Sequence, residues 1–169
     1  MINSNLKYFF LFIICIALQV LLFNQIQSIP YTHVFFYILF ILLLPIETPP
    51  FLLMLLAMAT GLVVDSFSNT FGIHAAASVL TAYIRPGMLR LYSPRDGYET
   101  NTHIGIRDLG FLWFLKYAAS LVIIHHFLLF MLDAFSFKMF QFTLLRITLS
   151  SISTISVLIL SQYLTIRRR

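Results

Sequence analysis

The sequence predicts an all-α integral membrane protein, a bundle of about six transmembrane helices with both termini on the cytoplasmic side. Three observations predict it. First, 60% of the 169 residues are hydrophobic, only 10% are charged, and the mean hydropathy is +0.91, which leaves too little polar surface to clothe a water-soluble domain of this size. Second, apolar runs approaching the roughly 20 residues that a spanning helix needs follow one another with short connections, so residues 1–169 read as a single polytopic membrane domain. Third, the basic residues stand in small groups between those runs. A net charge of +5 distributed in that way orients helices in a bilayer and does not form a face for nucleic acid.

The spans follow in order. The first, about 6–23, carries Lys7 at its start and has no small-residue cleavage site after it, so it reads as an anchor and not a removable signal. The second, about 32–46, lies between Pro30 and Pro45 and is short for a crossing. Glu47-Thr48-Pro49-Pro50 reads as a helix start, with the Thr48 hydroxyl as cap and Pro49 at the first helical position, where its missing N–H costs nothing. That places the third span at about 49–64. The segment from Asp65 to Gly72 is rich in turn-forming residues and predicts a tight hairpin at a membrane face. The fourth span, about 73–88, carries Ala75, Ala76, Ala77, Ser78 and Ala82, small side chains that let helix backbones approach closely in lipid. A polar cytoplasmic loop, 89–108, precedes a fifth span at about 109–132 and a sixth at about 140–163, which leads into the tail Arg167-Arg168-Arg169. Six spans put Lys7, the Arg85 to Arg107 region and the basic tail on one side, as the positive-inside rule requires.

Few residues carry chemistry. Asp65 sits at the outer end of the third span, where an ionisable group is a functional candidate by default, although a carboxylate ending a helix at the water interface would account for it as well. His74 lies across the hairpin and is placed to hydrogen-bond with it. Arg146 shares a helical stripe with Thr143, Ser150, Ser153, Thr154 and Ser161, predicting a face turned into the bundle and a pairing of Arg146 with Asp65, against the alternative that Arg146 reaches out to the headgroups. His125 and His126 are adjacent, about 100° apart around a helix, and cannot chelate one metal together. Cys15, the single cysteine, has no disulfide partner and reads as a small core or lipid-facing residue. The sequence has no Gly-x-Ser-x-Gly elbow, no His-Glu-x-x-His motif, no phosphate-cradling loop and no second aspartate in a glycine-flanked membrane motif. No catalytic, cofactor or metal residues are expected.

The stretch Gly61-Leu62-Val63-Val64-Asp65-Ser66-Phe67-Ser68-Asn69-Thr70-Phe71-Gly72-Ile73-His74-Ala75 resembles the MreD family of rod shape-determining proteins: a glycine, an aspartate ending one helix, a small turn, then Gly-x-His-Ala opening the next. The layout, with a membrane span at the start and a basic tail, is similar throughout the chain. Ala82-Tyr83-Ile84-Arg85-Pro86 with Pro94-Arg95-Asp96-Gly97-Tyr98-Glu99 looks like the branch found in Bacteroidetes-type bacteria. The resemblance implies a non-enzymatic subunit of the cell-elongation machinery in the bacterial inner membrane, which helps organise sidewall peptidoglycan synthesis. It further implies association with MreC, and through it with MreB, RodA and its class B transpeptidase, in contact with membrane lipid and with no small-molecule substrate. Gly61, Asp65, Gly72, His74 and Ala75 match the family motif, and with Tyr83, Arg85 and Arg146 they are the structural or interaction candidates. A second reading is the substrate-capturing membrane subunit of an energy-coupling-factor-type transporter, also a small six-helix protein, which would need an outward pocket with convergent polar or aromatic groups.

Overall fold

The computed structural model describes residues 4–25, 31–99, 102–134 and 140–167. All regular structure among them is helical: α1 (Ser4–Leu18), running on through a π-helical turn at Gln19–Phe23, then α2 (Ile38–Leu43), α3 (Pro50–Ser68), α4 (Ile73–Leu91), α5 (Ile106–Leu109), α6 (Phe111–Ala134) and α7 (Phe140–Arg167). Four stretches are long and apolar enough to cross a membrane: Leu6–Phe23, Pro50–Ser68, Phe111–Ala134 and Phe140–Thr165. The distribution of polarity is that of a protein solvated by lipid. Phe9, Phe51, Phe67 and Leu112 are among many large apolar side chains facing outward, while Thr60, Thr81, Arg85, His125, His126, Ser150 and Thr154 are buried.

The helices pack as consecutive antiparallel neighbours, with the most extensive contacts between α3 and α4, then α4 and α6, then α6 and α7. Asn24, just past the end of α1, donates from Nδ2 to Ser68 Oγ at the end of α3, 3.2 Å away, so those two helices point the same way. Their shared end, with the α3–α4 turn, is here the hairpin end. At the opposite end Trp113 Nε1, at the start of α6, donates to Tyr92 O at 2.6 Å, and Tyr98 OH donates to Leu89 O at 2.6 Å, folding the polar loop against the end of α4. Of the small residues expected to pack on the fourth span, Ala75, Ala77, Ser78 and Ala82 are buried, whereas Ala76 faces outward. Cys15 is fully buried.

Two local expectations are corrected. Pro50, not Pro49, opens α3; Pro49 is the cap residue, and the Thr48 hydroxyl donates to Pro45 O at 2.8 Å and does not cap the helix. The larger difference is the second span. A helix over 32–46 is replaced by an extended stretch, 32–35, and the six-residue α2, with Phe35 through Leu42 buried. Non-helical backbone in a membrane bundle survives only when its polar groups are satisfied by protein or by a water-filled cavity. Here side chains from distant helices do so. His33 N–H donates to Ser150 Oγ at 2.9 Å, Phe35 N–H to Thr154 Oγ1 at 3.1 Å and Tyr37 N–H to Gln19 Oε1 at 3.3 Å, while Gln19 Nε2 donates to Val34 O at 3.1 Å. The polar stripe of the last helix therefore does face inward, and its hydroxyls take the place of a neighbouring strand. The Val122 carbonyl can only accept, so His126 donates to it from Nδ1–H (2.8 Å), and in the neutral ring Nε2 accepts from the Thr154 hydroxyl (3.2 Å).

Candidate functional site

The hairpin motif forms a closed polar staple. α3 extends past the predicted end at 64 to Ser68, so Asp65 stands in its last turn. Asn69 (φ 52°) and Gly72 (φ 81°) take left-handed conformations that end α3 and start α4, which asparagine and glycine tolerate best. That tight turn brings the first backbone N–H groups of α4, which lack intrahelical acceptors, onto the Asp65 carboxylate. Oδ1 accepts from the Thr70 hydroxyl, from His74 N at 3.1 Å and from His74 Nδ1 at 3.0 Å; Oδ2 accepts from Ala75 N at 3.0 Å. A carboxylate at a helix N-terminus is stabilised by the dipole as well as by these bonds, and at 4% exposure it is shielded from water that would weaken both.

Gly61, one turn earlier on the same face of α3, explains how the staple closes. A Cβ there would lie 2.5 Å from Ala75 N and 2.7 Å from the His74 carbonyl carbon, nearer than any real Cβ contact, and backbone cannot swing aside as a side chain can. Gly61→Ala is therefore expected to force α3 and α4 apart and lengthen the Asp65 bonds. Overpacking of this kind costs about 1–3 kcal/mol, and we expect the upper end. Thermal unfolding in detergent checks it, Gly87→Ala serving as a control where a Cβ meets nothing within 4 Å.

The remaining predicted residues are not gathered in one place. Arg146 does not pair with Asp65. Its Nη1 donates to Asp133 Oδ2 at 2.9 Å and its guanidinium lies 4.7 Å over the Phe130 ring, because α6, not α3, is the helix antiparallel to α7 and places Asp133 opposite it. Arg85, grouped in the sequence with the basic residues of the cytoplasmic side, is held inside the bundle. It is 1% exposed in the bundle and bonds the carbonyls that end α2 together with the Tyr117 hydroxyl. Tyr83 is 70% exposed on the outside of α4 and touches neither centre. His125 and His126 have separate partners, Tyr37 OH (2.7 Å) for the first and Thr154 with Val122 O for the second.

Sequence reasoning missed one feature, a partly open cavity of about 350 Å³ at the hairpin end, between the π-helical turn, the extended segment and the facing ends of α3, α4, α6 and α7. Gln19, His33, His74, Asp133 and Arg146 contribute its polar wall, and Phe35 and Phe130 are among its aromatic residues. Gln19 was the available signal, a lone amide in an apolar run, since a polar group inside a span needs a partner and marks an interior face. Among the described residues no group of three or more His, Cys, Asp or Glu is placed to hold a metal ion. Compared with protein families, curated proteins and solved structures, the chain finds no match in any of the three.

Proposed function

We propose that this protein is a non-enzymatic subunit of the bacterial cell-elongation machinery, an MreD-type inner-membrane protein that works through helix packing with MreC and, through it, with MreB, RodA and its transpeptidase. The observation that carries the reading is the staple itself. All the motif positions on which the resemblance rests, Gly61, Asp65, Gly72, His74 and Ala75, serve one joint between two helices, and both oxygens of the only carboxylate among them are engaged by α4 and its turn. A signature devoted to shape suits a subunit whose product is a surface for other membrane helices.

The topology that goes with it has six crossings and both termini in the cytoplasm. α4 is 19 residues long, as long as α3, and its polar groups include the buried His74, Ser78, Thr81 and Arg85. The second crossing combines the non-helical stretch 32–35, a turn at 36–37 and the six-residue α2. The parallel directions of α1 and α3 require such a return. Lys7, Arg90, Arg95, Arg107 and the basic tail then lie inside, and the hairpin end lies outside.

Conditional depletion in the native host tests the role, with cell width and length as the readout. Rounded cells, rescued by the wild-type chain, are expected; unchanged rods under full depletion would remove the assignment. The cavity at the hairpin end favours a second reading, the small-molecule-capturing subunit of an energy-coupling-factor-type transporter, because it supplies convergent polar and aromatic groups. Co-purification separates the two: MreC is expected, and paired ATPases would move the second reading to the front.

A further inference from the structure

We propose that the cavity at the hairpin end binds a small zwitterion with an apolar body, an amino acid or the amino-acid end of a short peptide. Its volume of about 350 Å³ falls in the range of sites that take small molecules, about 300–1,000 Å³. The choice of ligand follows from the hydrogen-bonding capacity left unused in its wall.

Arg146 and Asp133 supply one positive and one negative charge, with side chains 29% and 40% exposed. Among the described residues, one guanidinium N–H is committed, to Asp133 Oδ2. Of the five donors a guanidinium carries, the rest are open to a carboxylate, and Asp133 Oδ1, which has no partner among the described residues, is open to an ammonium group. His74 is 7% exposed yet forms part of the wall. Its Nδ1 is held by Asp65 and Thr70, and its Nε2 has no hydrogen-bond partner among the described residues. The ring nitrogens of His33 are likewise without a described hydrogen-bond partner, and the ring stacks near Phe35 and Phe130.

Charge balance selects among ligands. Asp65 is fully engaged by α4 and its turn, leaving the wall with one charge of each sign. An anion would face Asp133 unpaired and a cation would face Arg146 unpaired, whereas a ligand carrying both charges matches both. The aromatic residues suit an apolar side chain in place of a sugar or a bare polar metabolite.

The test uses the full-length chain in lipid nanodiscs and equilibrium binding measured by titration calorimetry. The probes are the free proteinogenic amino acids, the dipeptide Ala-Phe, and the N-acetyl and C-amide derivatives of any that bind. At least one zwitterion is expected to bind, with either derivative weaker by tenfold or more. In Asp133→Asn the N-acetyl derivative should lose nothing further relative to the parent, and in Arg146→Gln the same should hold for the amide. Absence of binding by every zwitterion, or equal binding of parent and derivatives, would overturn the proposal; so would unchanged affinity in both variants. The derivative series on the wild-type chain decides the matter even where a variant fails to fold. The proposal rests on the cavity alone, and its outcome is independent of the depletion phenotype.

Discussion

Asp65→Ala is expected to destabilise the bundle by about 3–5 kcal/mol, the range for removing one member of a buried, charge-assisted network. The loss is large because the partners stay behind. The N–H groups of His74 and Ala75 belong to the first turn of α4 and have no other acceptor, and a buried donor without a partner retains its full desolvation cost. Asp65→Asn should cost less, about 1–2 kcal/mol, since its amide keeps one acceptor oxygen but turns an NH₂ toward donors. Thr70→Val removes a single bond and should be milder still. Unfolding in mixed detergent micelles orders these variants, and the expected order is Ala worst, then Asn, then Thr70→Val. Equal stability of Asp65→Ala and wild type would show that water replaces the carboxylate and that the staple is not what joins α3 to α4. In the host, Asp65→Ala should fail to restore rod shape through reduced amounts of folded protein; normal levels with failed rescue would instead mark the hairpin as a contact surface.

The hairpin was legible in the sequence because everything that makes it is local. Aspartate, an asparagine with a left-handed conformation, a glycine and a small alanine lie within 15 residues, from Gly61 to Ala75, and turn chemistry acts at that range. The long apolar helices were legible for a similar reason, since lipid solvates each run independently of its neighbours. The second segment was not. Its hydrophobicity announced burial correctly, but its conformation depends on acceptors and donors at Gln19, Ser150 and Thr154, far away along the chain, and hydropathy carries no record of where a backbone N–H finds its acceptor. Arg146 failed for a geometric reason. Depth in the membrane follows from position along a helix, and both Asp65 and Asp133 lie at the same end of the bundle; which one faces Arg146 depends on helix order around the bundle. The cavity was hidden likewise, since its walls come from the π-helical turn, the extended segment and the ends of four helices.

Arg85→Met is the other substitution with a large expected effect, a loss of about 3–5 kcal/mol. Two opposed terms decide its sign. Removing a charge from membrane depth recovers about 2.5–3.5 kcal/mol on insertion scales, and buried ion pairs replaced together by apolar residues are often neutral. That compensation requires removing both partners, and here it is unattainable, because the partners are main-chain carbonyls. α2 ends at Leu43 and Pro45 follows, so Leu42, Leu44 and Pro45 carry carbonyls that no later helical N–H can reach. Arg85 donates from Nη2 to all three, most closely to Leu44 O, and from Nε to Tyr117 OH at 2.9 Å, which in turn donates to Leu42 O at 3.0 Å. Methionine fills the volume and leaves Leu44 O bare, at a cost of several kcal/mol in a dry interior, whereas Pro45 O keeps the Thr48 hydroxyl and N–H. The net is destabilising, and it acts on the second segment first. Arg85→Lys, with one ammonium and no fork, should recover only part. Tyr117→Phe, which leaves Arg85 on the same carbonyls, should cost about 1 kcal/mol. Single cysteines introduced at Leu39 or Leu42, in a Cys15→Ser background, report the segment directly through their rate of thiol labelling. That rate should rise in Arg85→Met while labelling on α7 stays slow, and a rate unchanged at both positions would mean that the discontinuous crossing holds without its arginine.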